Sequence, residues 1–342
     1  MNRKLLSVAG VLVVGAGLSQ FATAGAILPE PNCGFTGNCL TYGDFDVFSL
    51  AFLNTVSGYG SPTSGDPFYV KSTPGAISPG VVFGTGSSGG PVTENFAGMD
   101  DAYATPSSAG GSSTQLEFST GAVADPGTLG TAGAFGSGDY ANTWDANISS
   151  LRSFLETSGG DFVPYFNLNE TGTDGLTGID ILVWADFWVE DLDTGANQHF
   201  FLTQDKAAST ASGGPDATTP DANDTRWVYT FGTICINGSA VLHLGPCTPS
   251  DPAGSSDVNQ NLGADNAAFA IYNKDLNDII KDTTTSWDVL HLDWRMSYMN
   301  NGYEQAFLLA DTSVGDNRTP LPATWLLLGI GALAIRVLRK PA

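Results

Sequence analysis

Positive charge is what this chain has least of. Lys and Arg number 13 in 342 residues, against 35 Asp and Glu. Five of the 13 sit at the chain ends, as Arg3, Lys4, Arg336, Arg339 and Lys340, whereas every acidic residue lies between Glu30 and Asp316. The stretch between the ends therefore holds 8 basic and 35 acidic residues, a balance of −27. Such a surface repels phosphate, which argues against nucleic acid or anionic lipid as a partner and favours divalent cations over anions. Histidine is also scarce. His199, His243 and His291 are the only three, and no two stand at a metal-ligand spacing. The four cysteines include no Cys-x-x-Cys pair, which argues against a zinc site. Internal repeats are lacking, and long apolar runs occur only at the two extremes.

Those extremes are informative. Met1-Asn2-Arg3-Lys4 is a short positive region, residues 5–18 are apolar, and Ala22-Thr23-Ala24 places small residues where a signal peptidase reads them. Cleavage is expected after Ala24, leaving Gly25 as the new N-terminus. At the other end, Thr319-Pro320-Leu321-Pro322-Ala323 forms a Pro-rich hinge before an apolar run over 324–335, and Arg336, Arg339 and Lys340 follow. A core helix would leave those three cations badly placed, so a membrane-seeking tail with its positive end on the cytoplasmic side is expected. From residue 323 to 335 a helix extends only about 20 Å at roughly 1.5 Å per residue. That is short of the roughly 30 Å hydrocarbon core and suits a temporary anchor.

Pro-x-Pro-x, an apolar helix and an Arg-rich terminus together resemble the PEP-CTERM sorting signal of Gram-negative bacteria. Pro320, Leu321, Pro322 and Ala323 match the variant reading Val-Pro-Leu-Pro-Ala, with Thr319 in place of the Val. The resemblance implies recognition by an exosortase-type membrane protease, removal of the tail and delivery to the cell surface or extracellular matrix. Residues 143–170 and 267–309, Asn301-Gly302-Tyr303-Glu304-Gln305 above all, also resemble stretches of uncharacterised secreted proteins bearing this tag. The expected organisation is a signal peptide (1–24), a secreted domain (25–311), a polar spacer (312–318) and a sorting tag (319–342).

Cys33 and Cys39 stand six apart, Cys235 and Cys247 twelve apart, each pair flanked by Gly, Asn or Pro. Four cysteines allow three connectivities, and the local pairing 33–39 with 235–247 is expected to pin loops in an oxidising compartment.

Between the ends, 42 glycines and 18 prolines break the chain into short segments. Residues 44–53 are expected as a strand, and residues 68–70, 81–83 and 115–118 as further short strands. One helix of about ten residues is expected, capped by Asp145, with Ile148, Leu151, Phe154 and Leu155 on its apolar side and Gly159-Gly160 ending it. Over 179–190 the chain alternates: Ile179, Ile181, Val183, Ala185, Phe187 and Val189 share a core face, and Asp180, Leu182, Trp184, Asp186, Trp188 and Glu190 share the other. A wide turn over 191–197 and a return over 199–202 make a hairpin. Residues 209–224 and 247–263 are expected as loops. Over 289–298, Leu290, Leu292, Trp294, Met296 and Tyr298 face inward, with His291, Asp293, Arg295 and Ser297 outward; Asn300-Asn301-Gly302 is expected to turn a second hairpin into 304–310. The sum is an all-β fold, a two-sheet β-sandwich of jelly-roll type with one short helix.

Candidate chemistry is thin, and no enzymatic activity and no cofactor are expected. Asp186 and Glu190 stand about 13 Å apart along one strand face, beyond the roughly 5–9.5 Å of glycosidase carboxylate pairs. Trp184 and Trp188, flanked by Asp186 and Glu190, could stack on sugar rings, unless they lie under a loop or the helix. Asp191, Asp193 and Asn197 offer oxygen ligands for Ca²⁺, but no Glu closes the loop and an ordinary acidic hairpin turn is the favoured reading. The expected role is structural or adhesive at the cell surface; the alternative is a carbohydrate-binding module contacting exopolysaccharide, with a glycan hydrolase ranked behind it.

Overall fold

The computed structural model describes residues 25–73, 77, 80–86, 93–106, 116–122, 138–170, 179–217, 219–221, 223–299 and 304–315. The leader with Ala22 and Ala24, the turn at residues 300–302, and the sorting tag with Thr319, Pro320, Leu321, Pro322, Ala323, Arg336, Arg339 and Lys340 lie outside these. The first third of the chain supplies β1 (Ile27–Leu28), β2 (Leu40–Tyr42), β3 (Phe45–Ser49), α1 (Leu50–Val56), β4 (Gly80–Gly86), β5 (Tyr103–Thr105) and β6 (Leu116–Ser119). Next come β7 (Trp144–Asn147), α2 (Ile148–Glu156), β8 (Pro164–Asn167), β9 (Ile179–Asp191), β10 (Ala196–Leu202) and α3 (Lys206–Ser212). β11 (Val228–Phe231), β12 (Thr233–Asn237), β13 (Ala240–Leu244) and β14 (Ser255–Asn259) follow. The last are β15 (Ala267–Tyr272), α4 (Lys274–Lys281), β16 (Val289–Met299), β17 (Ala306–Leu309) and β18 (Ser313–Val314).

The strands build an all-β body. One large sheet runs β10-β9-β16-β6, with β11 also on β9 and β7 also on β16; the other runs β2-β3-β15-β8-β17-β4-β5. The alternation of β9 works as the pleat demands. Ile181, Val183, Ala185, Phe187 and Val189 all enter the main core. Rings from the two sheets meet there: Phe45 lies 4.9 Å from Phe187 and Phe166 lies 5.8 Å from Trp294. The far face of the seven-stranded sheet is covered too, by α1 and by the small sheet β13-β12-β14, through Phe52, Ile234, Ile236 and Val258. Both expected disulfides are present, Cys33–Cys39 and Cys235–Cys247.

Several local expectations are corrected. Four helices form among the described residues, not one. Residues 50–53 leave the strand because Ser49 caps a helix, its Oγ accepting the Phe52 N–H. Asp205 and Asn273 cap α3 and α4 in the same way, so residues 209–212, expected as loop, are helical. Asp145 does not cap α2; it lies buried in β7, and Asn147 takes the N-cap position. The second hairpin is not made: β17 pairs with β8 and β4 in the opposite sheet, not with β16. Tyr298, expected to face inward, adopts φ 63° where the register of β16 shifts, and packs against the cluster around Trp184 and Trp227. Nor is the stretch after Asp311 merely a spacer. Thr312 is buried, its hydroxyl 2.9 Å from that of Tyr165, and β18 pairs in parallel with β1, so the body extends through Val314. Among the described residues no helix is long and apolar enough to cross a membrane.

Candidate functional site

The outer face of the six-stranded sheet gathers most of the polar side chains singled out above. His199, Trp188, His291 and Asp145 stand in register across β10, β9, β16 and β7. Cross-strand neighbours on one face are close enough for rings to stack. The centroids of His199 and Trp188 are 5.3 Å apart, those of Trp188 and His291 4.9 Å, and those of His291 and Tyr140 4.6 Å, all within 23° of parallel. Tyr140 arrives from outside the sheet and closes the row, leaving His291 0 % exposed.

The buried imidazole bridges two carboxylates. His291 Nδ1 lies 2.8 Å from Asp145 Oδ1, and Nε2 lies 3.2 Å from Glu190 Oε2. Asp145 also accepts the Thr143 hydroxyl at 2.7 Å and the Tyr140 N–H at 2.6 Å. The Tyr140 hydroxyl donates to Glu190 at 3.0 Å, a bond that holds the phenol above its ordinary range. Further along the face, His199 Nδ1 pairs with Asp186 at 2.9 Å. Burial raises the Asp186 carboxyl, with the histidine opposing it. Asp293 accepts the Arg295 Nε–H at 3.1 Å and the Thr120 hydroxyl at 3.1 Å. His291 therefore works with Asp145, not with Asp293 as its own strand suggests. Its ring nitrogens meet two carboxylates and no serine or cysteine among the described residues.

The pair of indoles expected on one open face is not formed. Trp184 is 1 % exposed, lies beneath α3 and the loop after it, and donates its Nε1–H to Ser209 Oγ at 3.2 Å. The loop presses close: a Cβ on Gly214 would meet the Trp184 ring at 2.7 Å. Trp188 remains partly exposed, but His199 and His291 stack on its two sides and take the faces a sugar would need. Asp186 and Glu190 are engaged as described. In the β9–β10 turn, Asp191 Oδ1 accepts the N–H groups of Asp193 at 3.0 Å and Thr194 at 2.9 Å. Hydrogen bonds from Ser286 and Thr194 lower its pKa. This is a self-capped turn of the Asx kind, with Asp193 and Asn197 exposed beyond it.

Three carboxylates do converge elsewhere: Asp100, Asp139 and Asp145 place oxygens within 4.8 Å of one another. Asp100 Oδ2 there accepts the Asp145 N–H at 2.8 Å, so part of the cluster serves the backbone. The group of Cys235, His243 and Asp251 has its cysteine in a disulfide, and the histidine pairs with Asp251 at 3.1 Å.

A second site was missed by the sequence. A groove of about 600 Å³ runs beside α2, lined by Phe96, Ser149, Ser153, Phe154 and Thr157 among others. Phe96 is 48 % exposed and lies 5.3 Å from the buried Phe154 ring, tilted by 40°. The hydroxyls of Ser153 and Thr157 donate to the carbonyls four residues back, at 2.8 and 2.9 Å, and turn their lone pairs outward. The signal was present as Ser149, Ser153 and Thr157 at spacings of four, a polar stripe along the helix. An apolar cavity of about 70 Å³ also opens between the sheets, lined by Tyr42, Val47, Phe166, Val183, Leu202 and Phe269.

Residues 27–295 match the family described as "Domain of unknown function (DUF8239)". The chain belongs to that family. No curated protein and no solved structure matches it. The DUF8239 segment contains the whole His199–Trp188–His291–Asp145 row and both phenylalanines of the groove, and it ends within β16.

Beyond that segment lies a strongly perturbed carboxyl. Glu304, 0 % exposed before β17, sets its carboxyl against the side chain of Glu170 and its own backbone N–H. Burial pushes its pKa up to about 7. Thr105 holds the Glu304 backbone through its carbonyl at 2.9 Å.

Proposed function

We propose that the chain is exported through the inner membrane, trimmed at both ends by signal peptidase and an exosortase-type protease, and kept at the cell surface or in exopolysaccharide as a structural or adhesive module. In this reading the facing sheets are a jelly-roll-like sandwich, and the apolar run at 324–335 anchors it only until processing. The observation that carries the reading is the pair of disulfides, Cys33–Cys39 and Cys235–Cys247, a bond type that persists in oxidising compartments. The anionic surface supports it, because self-repulsion keeps an exported body solvated.

The test is fractionation of cells expressing the full chain or a chain lacking residues 319–342, with thiol alkylation of each fraction. The reading expects a full chain recovered at the surface, shortened at both ends and without free thiols, and a truncated chain that is exported but released. Recovery of an untrimmed, reduced chain from the cytosol overturns it.

A further inference from the structure

The groove beside α2 differs in chemistry from the rest of this acidic molecule. Among the described residues that line it none is titratable, although the chain carries 35 Asp and Glu. An anionic ligand is repelled by the field of the whole protein, and a cationic one gains more at the carboxylates of the sheet face. An uncharged ligand is the one that the groove suits best. Phe96 offers it an aromatic face held in place by Phe154. Ser149, Ser153 and Thr157 form a line beside that face, successive members about 6 Å apart along the helix axis. Ser153 and Thr157 have used their protons within the helix and face outward as acceptors. Arg152, the one cation of α2, is drawn to the other side, where its Nε–H donates to the Ile280 carbonyl at 2.8 Å.

We propose that this groove binds a neutral oligosaccharide, one sugar ring lying on Phe96 while sugar hydroxyls donate to the Ser and Thr oxygens of α2. A pyranose presents one apolar C–H face and a rim of hydroxyl donors, which is the complement of what the groove offers. The groove volume of about 600 Å³ falls in the range of small-molecule sites, roughly 300–1,000 Å³. The inference rests on the adhesive reading above and names its ligand class, moving the contact from the indoles of β9 to the phenyl ring beside α2.

The experiment is calorimetric titration of the chain purified from cells with maltohexaose, cellohexaose and laminarihexaose, and with polygalacturonate as the anionic comparison. At least one neutral oligosaccharide is expected to bind at millimolar concentration or better, and polygalacturonate not to bind. Phe96→Ala should weaken binding by about fivefold or more, the scale of one lost aromatic contact. Ser153→Lys, an exposed change to a good helix former, should block the groove without unfolding α2. Tyr59→Ala removes another exposed ring and should change nothing. The proposal is overturned if none of the three oligosaccharides binds, if both groove variants bind like the parent, or if polygalacturonate binds as well as they do. A failed titration leaves the export reading standing, and a mislocalised chain that still binds leaves the groove standing.

Discussion

Replacing Glu304 by Gln should make the protein more stable at alkaline pH and change it little in acid. Glu304 is 0 % exposed, and its carboxyl is met only by the Glu170 side chain and its own backbone N–H, neither of which offsets the cost of burial. Burial moves its pKa from 4.5 to about 7. The folded protein therefore holds a proton that the unfolded chain releases above pH 4.5. The stabilising contribution of that proton is present in full below pH 4.5 and is lost as pH rises through about 7. A shift of this size corresponds to something on the order of 3 kcal/mol, at about 1.4 kcal/mol per pH unit. This is an upper bound, because Glu170 shares the proton. Glutamine cannot ionise, and its amide N–H groups can donate to Glu170 at any pH. The assay is urea unfolding of parent and Glu304→Gln proteins at pH 5 and pH 8. The difference between the two should be about 1 kcal/mol or less at pH 5 and should grow in favour of the variant toward about 3 kcal/mol at pH 8. Taking the difference removes other titrations, including that of Asp180, whose pKa burial raises to about 6. Equal differences at both pH values would refute the reasoning.

Two further outcomes test the fold. Phe187→Ala empties a fully buried site against Phe45, Phe162 and Trp294, and should destabilise by about 3–5 kcal/mol in the same unfolding assay. Replacing Cys235 and Cys247 together by Ala opens a 12-residue loop on the small sheet. Thermal unfolding should show a loss of roughly 3 kcal/mol, while far-ultraviolet circular dichroism keeps the β signature of the two large sheets.

Much of the framework was legible because its signals are local. Alternation over β9 marks the core face within a single strand, and Phe187 and Val183 lie where it put them. Short Cys spacings flanked by turn residues bring the sulfurs together without help from the rest of the fold. Helices α1 and α4 were legible and missed: Ser49 and Asn273 are cap residues followed by apolar spacing, but each follows a strand whose hydrophobic run hides the boundary. The outer row was half legible. Trp188, Asp186 and Glu190 were singled out, yet the partner that buries His291 is Tyr140, about 150 positions away, and nothing near His291 announces it.

Within single segments, then, the amino-acid order alone determined the all-strand class, the inward face of β9 and the two sulfur bridges, since pleat, turn and short-loop closure act over a few residues. Which polar groups are hidden was decided by the assembled molecule. α3 and the loop after it hide Trp184, β17 crosses to the other sheet instead of returning beside β16, and Glu304 meets Glu170 in a buried place. Each of these depends on surfaces brought together from distant parts of the chain, where desolvation and packing are properties of the meeting and not of either strand.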